Sequence, residues 1–295
     1  MHRLNGGELP GSLFHYTNQA GFEGILKSGC IWVSDIKHLN DAAELRYATS
    51  VMRAHIDRFR ALEWDDRIRP LFDQLQRTIA RQEFGDVFIM SLVADGDQKH
   101  LWNLYSDRGK GFSLTFSTLV PFEWKENWVL LKCNYGDEAL TEFCQQILGV
   151  LRAIYERDLA EGNPAELPEY VDLFVENVRW FAPAFKLKAW ADEAEWRLIR
   201  YGSGDTLQTR PDGRTYVKAP SNGRLQIAAA ACGPNCAPDD AARACKTALS
   251  SGYGDFNLYH SQFATLQQRE LVDNAVRNAM AEFAAESAAS NQGKA

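Results

Sequence analysis

Asp192-Glu193-Ala194-Glu195-Trp196-Arg197-Leu198-Ile199 alternates charged and apolar side chains. Successive residues of a strand point to opposite faces, so the spacing predicts Glu193, Glu195 and Arg197 on one face. Trp196 and Leu198 fall on the other, toward a core. A strand face carrying alternating charges either meets solvent or lines a cleft. Paired carboxylates on a cleft face stabilise positive charge where it develops, as in glycosidic bond cleavage. Arg197 or Lys186 nearby would hold Glu195 ionised.

Outward from this stretch the chain mixes helix and strand signals. Leu13 to Tyr16 reads as a short strand, then a helix capped by Thr17 or Asn18, with Phe22, Ile25 and Leu26 as its stripe and Gly29 as its stop. Ile31-Trp32-Val33-Ser34 is a second strand. Asp41 and Glu44 have capping-box spacing before a longer helix through Leu45, Ala48, Met52, Ile56 and Phe59. Ile68 to Ile79 predicts another helix, and Val87 to Leu92 a buried strand. A helical piece around Leu101, Trp102 and Tyr105 precedes strands at Phe112 to Phe116 and Trp128 to Tyr135. Two helices fill Glu138 to Phe181, broken at Gly162-Asn163-Pro164. Strands at Glu195 to Tyr201 and Leu225 to Ala231, a helix at Asp239 to Leu249 and a strand at Phe256 to Tyr259 follow. Without regular βαβ alternation this order predicts α+β. The expected organisation is one domain over residues 1–269, with a helical insert at about 138–181. A helical tail over 270–295 frays from Ser287 on.

The chain has 295 residues, 45% of them hydrophobic, enough for one large core or two modest ones. Its formal net charge of -7 gives no general grip on nucleic acid or an anionic membrane. No apolar run reaches a membrane span, and Met1 to Gly7 lacks the apolar stretch of a secretory signal. A cytoplasmic location is expected, with six reduced cysteines. Cys232, Cys236, Cys245 and His260 do not have standard zinc spacing, so no metal is expected; the cysteines read as small buried side chains after a strand and turn. Gly109-Lys110-Gly111 lacks the rest of a phosphate loop and reads as a hairpin-type turn.

Leu13-Phe14-His15-Tyr16-Thr17, Gly24-Ile25-Leu26-x-x-Gly29, Ile31-Trp32-Val33-Ser34 and Leu39-Asn40-Asp41-x-x-Glu44 resemble the bacterial family called domain of unknown function 2971. Met90-Ser91-Leu92, Leu101-Trp102-x-x-Tyr105, Gly111-Phe112-x-Leu-x-Phe116 and Glu193-x-Glu195-Trp196-Arg197 continue the likeness in order, roughly over residues 12–265. More distantly, the opening His-Tyr-Thr strand and its helix resemble the start of the ADP-ribosyltransferase superfamily. That resemblance implies a single mixed or antiparallel sheet of that type with flanking helices. It implies NAD as a substrate, and an unknown protein or nucleic acid as acceptor. It also implies a toxin or phage-defence role, with a neutralising partner protein to be expected.

By the same resemblance His15 would hold the adenosine ribose, and Tyr16 (backbone) and Thr17 the nicotinamide amide. Trp32 or Tyr47 would stack on nicotinamide. Glu195 would stabilise the oxocarbenium-like transition state, Glu193 would orient the acceptor, and Arg197 is expected among the cofactor-binding residues. Ser34 and Ser91 both contend for the middle motif. NAD hydrolysis, metal-dependent nuclease activity through Asp41, Glu44, Glu193 and Glu195, or non-enzymatic nucleotide sensing are the alternatives.

Overall fold

The computed structural model describes residues 9–38, 42–81, 86–117, 127–162, 166–202, 204–220, 223–254 and 256–292, apart from the side chains of 42–45, 81, 205 and 291–292. In chain order the elements begin β1 (Ser12–Thr17), α1 (Gln19–Ser28), β2 (Ile31–Asp35), α2 (Ala42–Leu62), α3 (Arg69–Arg81) and β3 (Val87–Val93). They continue with α4 (Lys99–Tyr105), β4 (Phe112–Ser117), β5 (Trp128–Lys132), β6 (Asn134–Tyr135), α5 (Asp137–Ala160) and α6 (Leu167–Phe181). Then come β7 (Phe185–Lys186), β8 (Glu195–Tyr201), β9 (Gln208–Thr209), β10 (Thr215–Ala219), β11 (Ala229–Cys232), α7 (Pro238–Ser250), β12 (Asn257–His260) and α8 (Leu266–Gln292). The fold is α+β, as the order of elements predicts, with a mixed and mostly antiparallel sheet and several helices. Cα packing divides the chain into two compact units: Met1–Val33, Met90–Trp128 and Val217–Ala295 in one, Ser34–Ile89 and Val129–Tyr216 in the other.

In the first unit β4 pairs antiparallel with β1, from Ser12 opposite Ser117 to Thr17 opposite Phe112. On its other side β4 pairs with β11, and β11 runs parallel to β12. Asn18 starts α1 by accepting the Gly21 amide at 2.8 Å, and Gly29 ends it in the left-handed conformation that lacks a Cβ penalty (φ 64°). Phe22 of α1 stacks on Phe112 of β4 with ring centroids 4.2 Å apart. Helix α7 packs on α1 and on α8.

The Gly109-Lys110-Gly111 segment joins a helix to a strand, α4 to β4, and is not a hairpin turn. A Cβ on Gly111 would sit 2.2 Å from the Thr17 carbonyl oxygen, so backbone packs on backbone there.

In the second unit α2, α3, α5 and α6 enclose one apolar core that includes Met52, Phe72, Leu148, Phe174 and Ile199. The expected strand from Trp128 to Tyr135 is two strands. β5 pairs with β8, whereas β6 pairs with β7 in a separate parallel ribbon. Cys133 falls between them, and its amide donates to the Glu195 carbonyl at 2.9 Å.

Further differences lie at element ends. Leu225 is not part of β11, because its amide is taken by the Gly29 carbonyl at 2.7 Å. β9 and β10 pair in a short ribbon that composition does not mark, Thr215 opposite Thr209. Helix α8 continues through Ser287 to Gln292, as its Ala-rich composition favours.

Candidate functional site

Four charged side chains of the second unit converge within a short piece of chain. Lys186, at the end of β7, is turned back toward β8 by a 3₁₀ segment, Lys188–Glu193. Ala194 in the left-handed conformation (φ 44°) ends that segment, so β8 begins at Glu195. Glu193 is therefore not a strand residue, and the expected strand face of Glu193, Glu195 and Arg197 does not form. The chain turn brings the same residues together by another route. The Lys186 ammonium donates to Glu193 Oε2 at 2.8 Å and to Glu195 Oε2 at 2.5 Å. Arg197 Nε donates to Glu195 Oε1 at 2.9 Å, and another guanidinium nitrogen donates to the Pro183 carbonyl at 2.5 Å. Tyr135 accepts the Glu195 backbone amide at 2.7 Å.

These four side chains do not meet solvent: Lys186, Glu193, Glu195 and Arg197 are all buried, Arg197 completely. Trp196 and Leu198 on the opposite face are buried too, as the alternation predicts. β8 is thus covered on both faces, which alternation alone does not reveal. Both Glu195 oxygens are occupied by cations. Burial by itself would raise the Glu195 pKa, but the charges of Arg197 and Lys186 outweigh it and hold the carboxyl below its ordinary value. Burial likewise opposes charge on Lys186, and the Glu195 carboxylate reverses the balance and raises its pKa. Lys186 and Glu195 thus each favour the charged form of the other.

His15, Tyr16, Thr17 and Trp32 belong to the first unit. His15 is half-buried, and its Nδ1 lies 3.0 Å from the Ser91 carbonyl oxygen. A carbonyl only accepts, so Nδ1 carries the proton and Nε2 of the neutral ring is an acceptor. Burial lowers the His15 pKa, with the Ser91 bond opposing it in part.

The Tyr16 side chain is buried. It meets the Trp102 ring edge-on at 4.8 Å, and its hydroxyl accepts the Gln98 amide at 2.8 Å. Thr17 lies so close to α1 that a Cβ on Gly21 would sit 2.1 Å from its hydroxyl oxygen. Trp32 is 45% exposed.

Sequence reasoning missed a polar hub beside Tyr16. Asp97 accepts from Trp102 Nε1, the Ser261 hydroxyl and the Gln262 amide, each at 2.6 Å. The Asp97-to-Trp102 spacing at a helix start was a usable signal; nothing local links either to Ser261.

Ser34 and Tyr47 belong to the second unit. Arg210 donates to the Ser34 hydroxyl at 3.4 Å, and the Tyr47 hydroxyl donates to Asp137. Asn40 and Asp41 lie outside the described residues, as does the side chain of Glu44 in α2. The two groups of candidate residues fall in different compact units.

All six cysteines are free and buried. Cys232 and His260 are neighbours across β11 and β12, and His260 Nε2 lies 2.7 Å from Asp273. Among the described residues no group of three or more His, Cys, Asp or Glu side chains is placed to hold a metal ion. Among them, too, no helix is long and apolar enough to cross a membrane.

Residues 101–198 match the model of a family described as protein of unknown function (DUF2971). The matched stretch begins at Leu101 in α4 and ends at Leu198 in β8, so it contains Lys186, Glu193, Glu195 and Arg197. No curated protein matches the chain. No solved structure matches it.

Proposed function

We propose that the protein is an NAD-dependent ADP-ribosyltransferase acting on a macromolecular acceptor, with Glu195 as its catalytic carboxylate. The observation that carries the reading is the convergence of Glu193 and Glu195 on one ammonium, with Glu195 held ionised inside the protein. Cleavage of the bond between the nicotinamide ring and ribose C1' sends the electron pair to nicotinamide and leaves positive charge on the sugar. An ionised carboxylate in a dry site stabilises that charge where it develops. The acceptor nucleophile then bonds to C1' and loses its proton.

Glu195 reaches a ribose only when Lys186 releases Oε2. Glu193, already bonded to the same ammonium, retains Lys186 as it does so. In the first unit the neutral His15 ring, with Nε2 as acceptor, suits a ribose hydroxyl donor.

The test is incubation with labelled NAD and lysate, comparing the wild type with Glu195→Gln. The expected outcome is labelled acceptor and nicotinamide release, with at least a ~100-fold loss in the variant, the scale of removing an electrostatic stabiliser. Equal turnover by both proteins removes Glu195 from the mechanism. Absence of nicotinamide release from the wild type removes the activity.

A second reading is favoured by the occupancy of both Glu195 oxygens. In it the cluster is a rigid support and the chain senses a nucleotide without turning it over. Calorimetry showing NAD binding without nicotinamide release selects this reading.

A further inference from the structure

Helices α5 and α6 of the second unit leave an apolar groove of about 400 Å³ between them. Phe143, Ile147, Val150 and Ile154 form one wall, at helical spacing, and Leu173 and Phe174 the other. Val150 is 60% exposed and Leu173 43% exposed, so each wall presents an uncovered aliphatic side chain. Gln146 and Asn177 add one amide per wall. Their amide nitrogens donate within their own helices, to Glu142 and to the Leu173 carbonyl, which leaves the amide oxygens as acceptors.

Charge says what fits this groove. Asp137 to Phe181 holds ten carboxylates and three arginines, a formal -7 that equals the net charge of the whole chain, -7. The three arginines are engaged: Arg152 with Glu63 and Glu156, Arg157 with Asp158, and Arg179 over the Tyr201 ring. Glu142, Glu169, Asp172 and Glu176 remain exposed along the two helices. On α6, Glu169 and Glu176 lie on the same helix face as Leu173, four residues before it and three after.

We propose that the α5–α6 groove is a docking site for a basic amphipathic helix of a partner protein. Leucine-like side chains would fill the space between Val150 and Leu173, and lysines or arginines would meet the carboxylate rim. A second copy of the chain would bring the same acidic rim against itself, and anionic membranes and nucleic acid would be repelled. The proposal is independent of the chemistry at Glu195.

The experiment is fluorescence anisotropy of the full chain with a labelled helical peptide of roughly 18 leucines and lysines, the leucines on one face. A matched peptide with glutamates for lysines is the control. Val150→Lys and Leu173→Lys should each weaken binding of the basic peptide at least ~10-fold, the loss typical of a central anchor. Leu271→Lys, the same charge change at an exposed site on α8 that does not line the groove, should alter it less than ~2-fold, as energetically near-neutral positions do. Affinity should fall steeply with added salt. The proposal is overturned if the basic peptide does not bind, if all three variants lose affinity alike, or if the acidic peptide binds as well. Binding of the wild type to anionic vesicles, or self-association abolished by Val150→Lys, would assign the groove to a membrane or a second copy and overturn it equally.

Discussion

The two units each hold a polar network, and the networks are built in opposite ways. Around Lys186 all four side chains are charged and come from residues 186–197. Around Asp97 one carboxylate takes two neutral side-chain donors and a backbone amide from segments more than a hundred residues apart. A closed ionic set is cooperative in failure, because removing one charge strands the opposite charge in a low-dielectric interior. A hub of mostly neutral donors fails bond by bond, each loss limited to one group's desolvation. The first arrangement keeps a carboxylate ionised away from water; the second ties distant chain segments together.

The difference is open to direct test, starting with its largest consequence. Lys186→Met leaves Glu193 and Glu195 with a shared cation removed, and should cost about 3–5 kcal/mol in denaturant unfolding, as for a broken buried pair. A cost below about 1 kcal/mol would place these carboxylates in water and erase the contrast. Asp97→Ala, which orphans three donors in a half-buried setting, should cost less, about 2 kcal/mol. If it exceeds Lys186→Met, the mostly neutral hub is the more cooperative of the two.

Tyr135→Phe sharpens the ionic side of the comparison. It removes the acceptor of the Glu195 amide while sparing every charge, and should cost about 1 kcal/mol in the same unfolding measurement.

Acidity supplies the smallest and most selective readouts. The folded pKa of Glu195 lies below its ordinary 4.5, so its stabilisation is complete above that pH and is lost as pH falls through and below it. Glu195→Gln should flatten the acid limb of the stability profile. His15 has its pKa lowered from 6.5, so the unfolded state binds more protons just below neutrality and stability rises with pH there. His15→Asn should remove that slope, measured as thermal midpoint between pH 5 and 7, the range in which a histidine near its ordinary pKa titrates, at about 6.5. An unchanged slope would show that His15 binds protons alike in the folded and unfolded states.

How much of this was legible depends on sequence distance. The helix-start and helix-stop signals at Asn18 and Gly29 work within one turn, and both are used as their chemistry dictates. The gathering of Lys186, Glu193, Glu195 and Arg197 was readable because twelve residues of chain contain all of it. Its geometry was not, since Ala194 in the left-handed conformation takes Glu193 out of the strand. The split of Trp128 to Tyr135 into β5 and β6 was equally hidden. Only the pairing partners, β8 for one and β7 for the other, distinguish the halves of this stretch.

Sequence alone determined the α+β class, the apolar stripes of the helices, the excess of carboxylates between Asp137 and Phe181 and the identity of the charged quartet. These follow from local periodicity and from side-chain chemistry that does not depend on neighbours. Tertiary structure alone decided that β8 is covered on both faces, that Asp97 meets Ser261, and that α5 and α6 leave a groove between their apolar stripes. Burial and partner choice are properties of surfaces brought together from afar, and a periodic pattern records which face is apolar without recording what covers it.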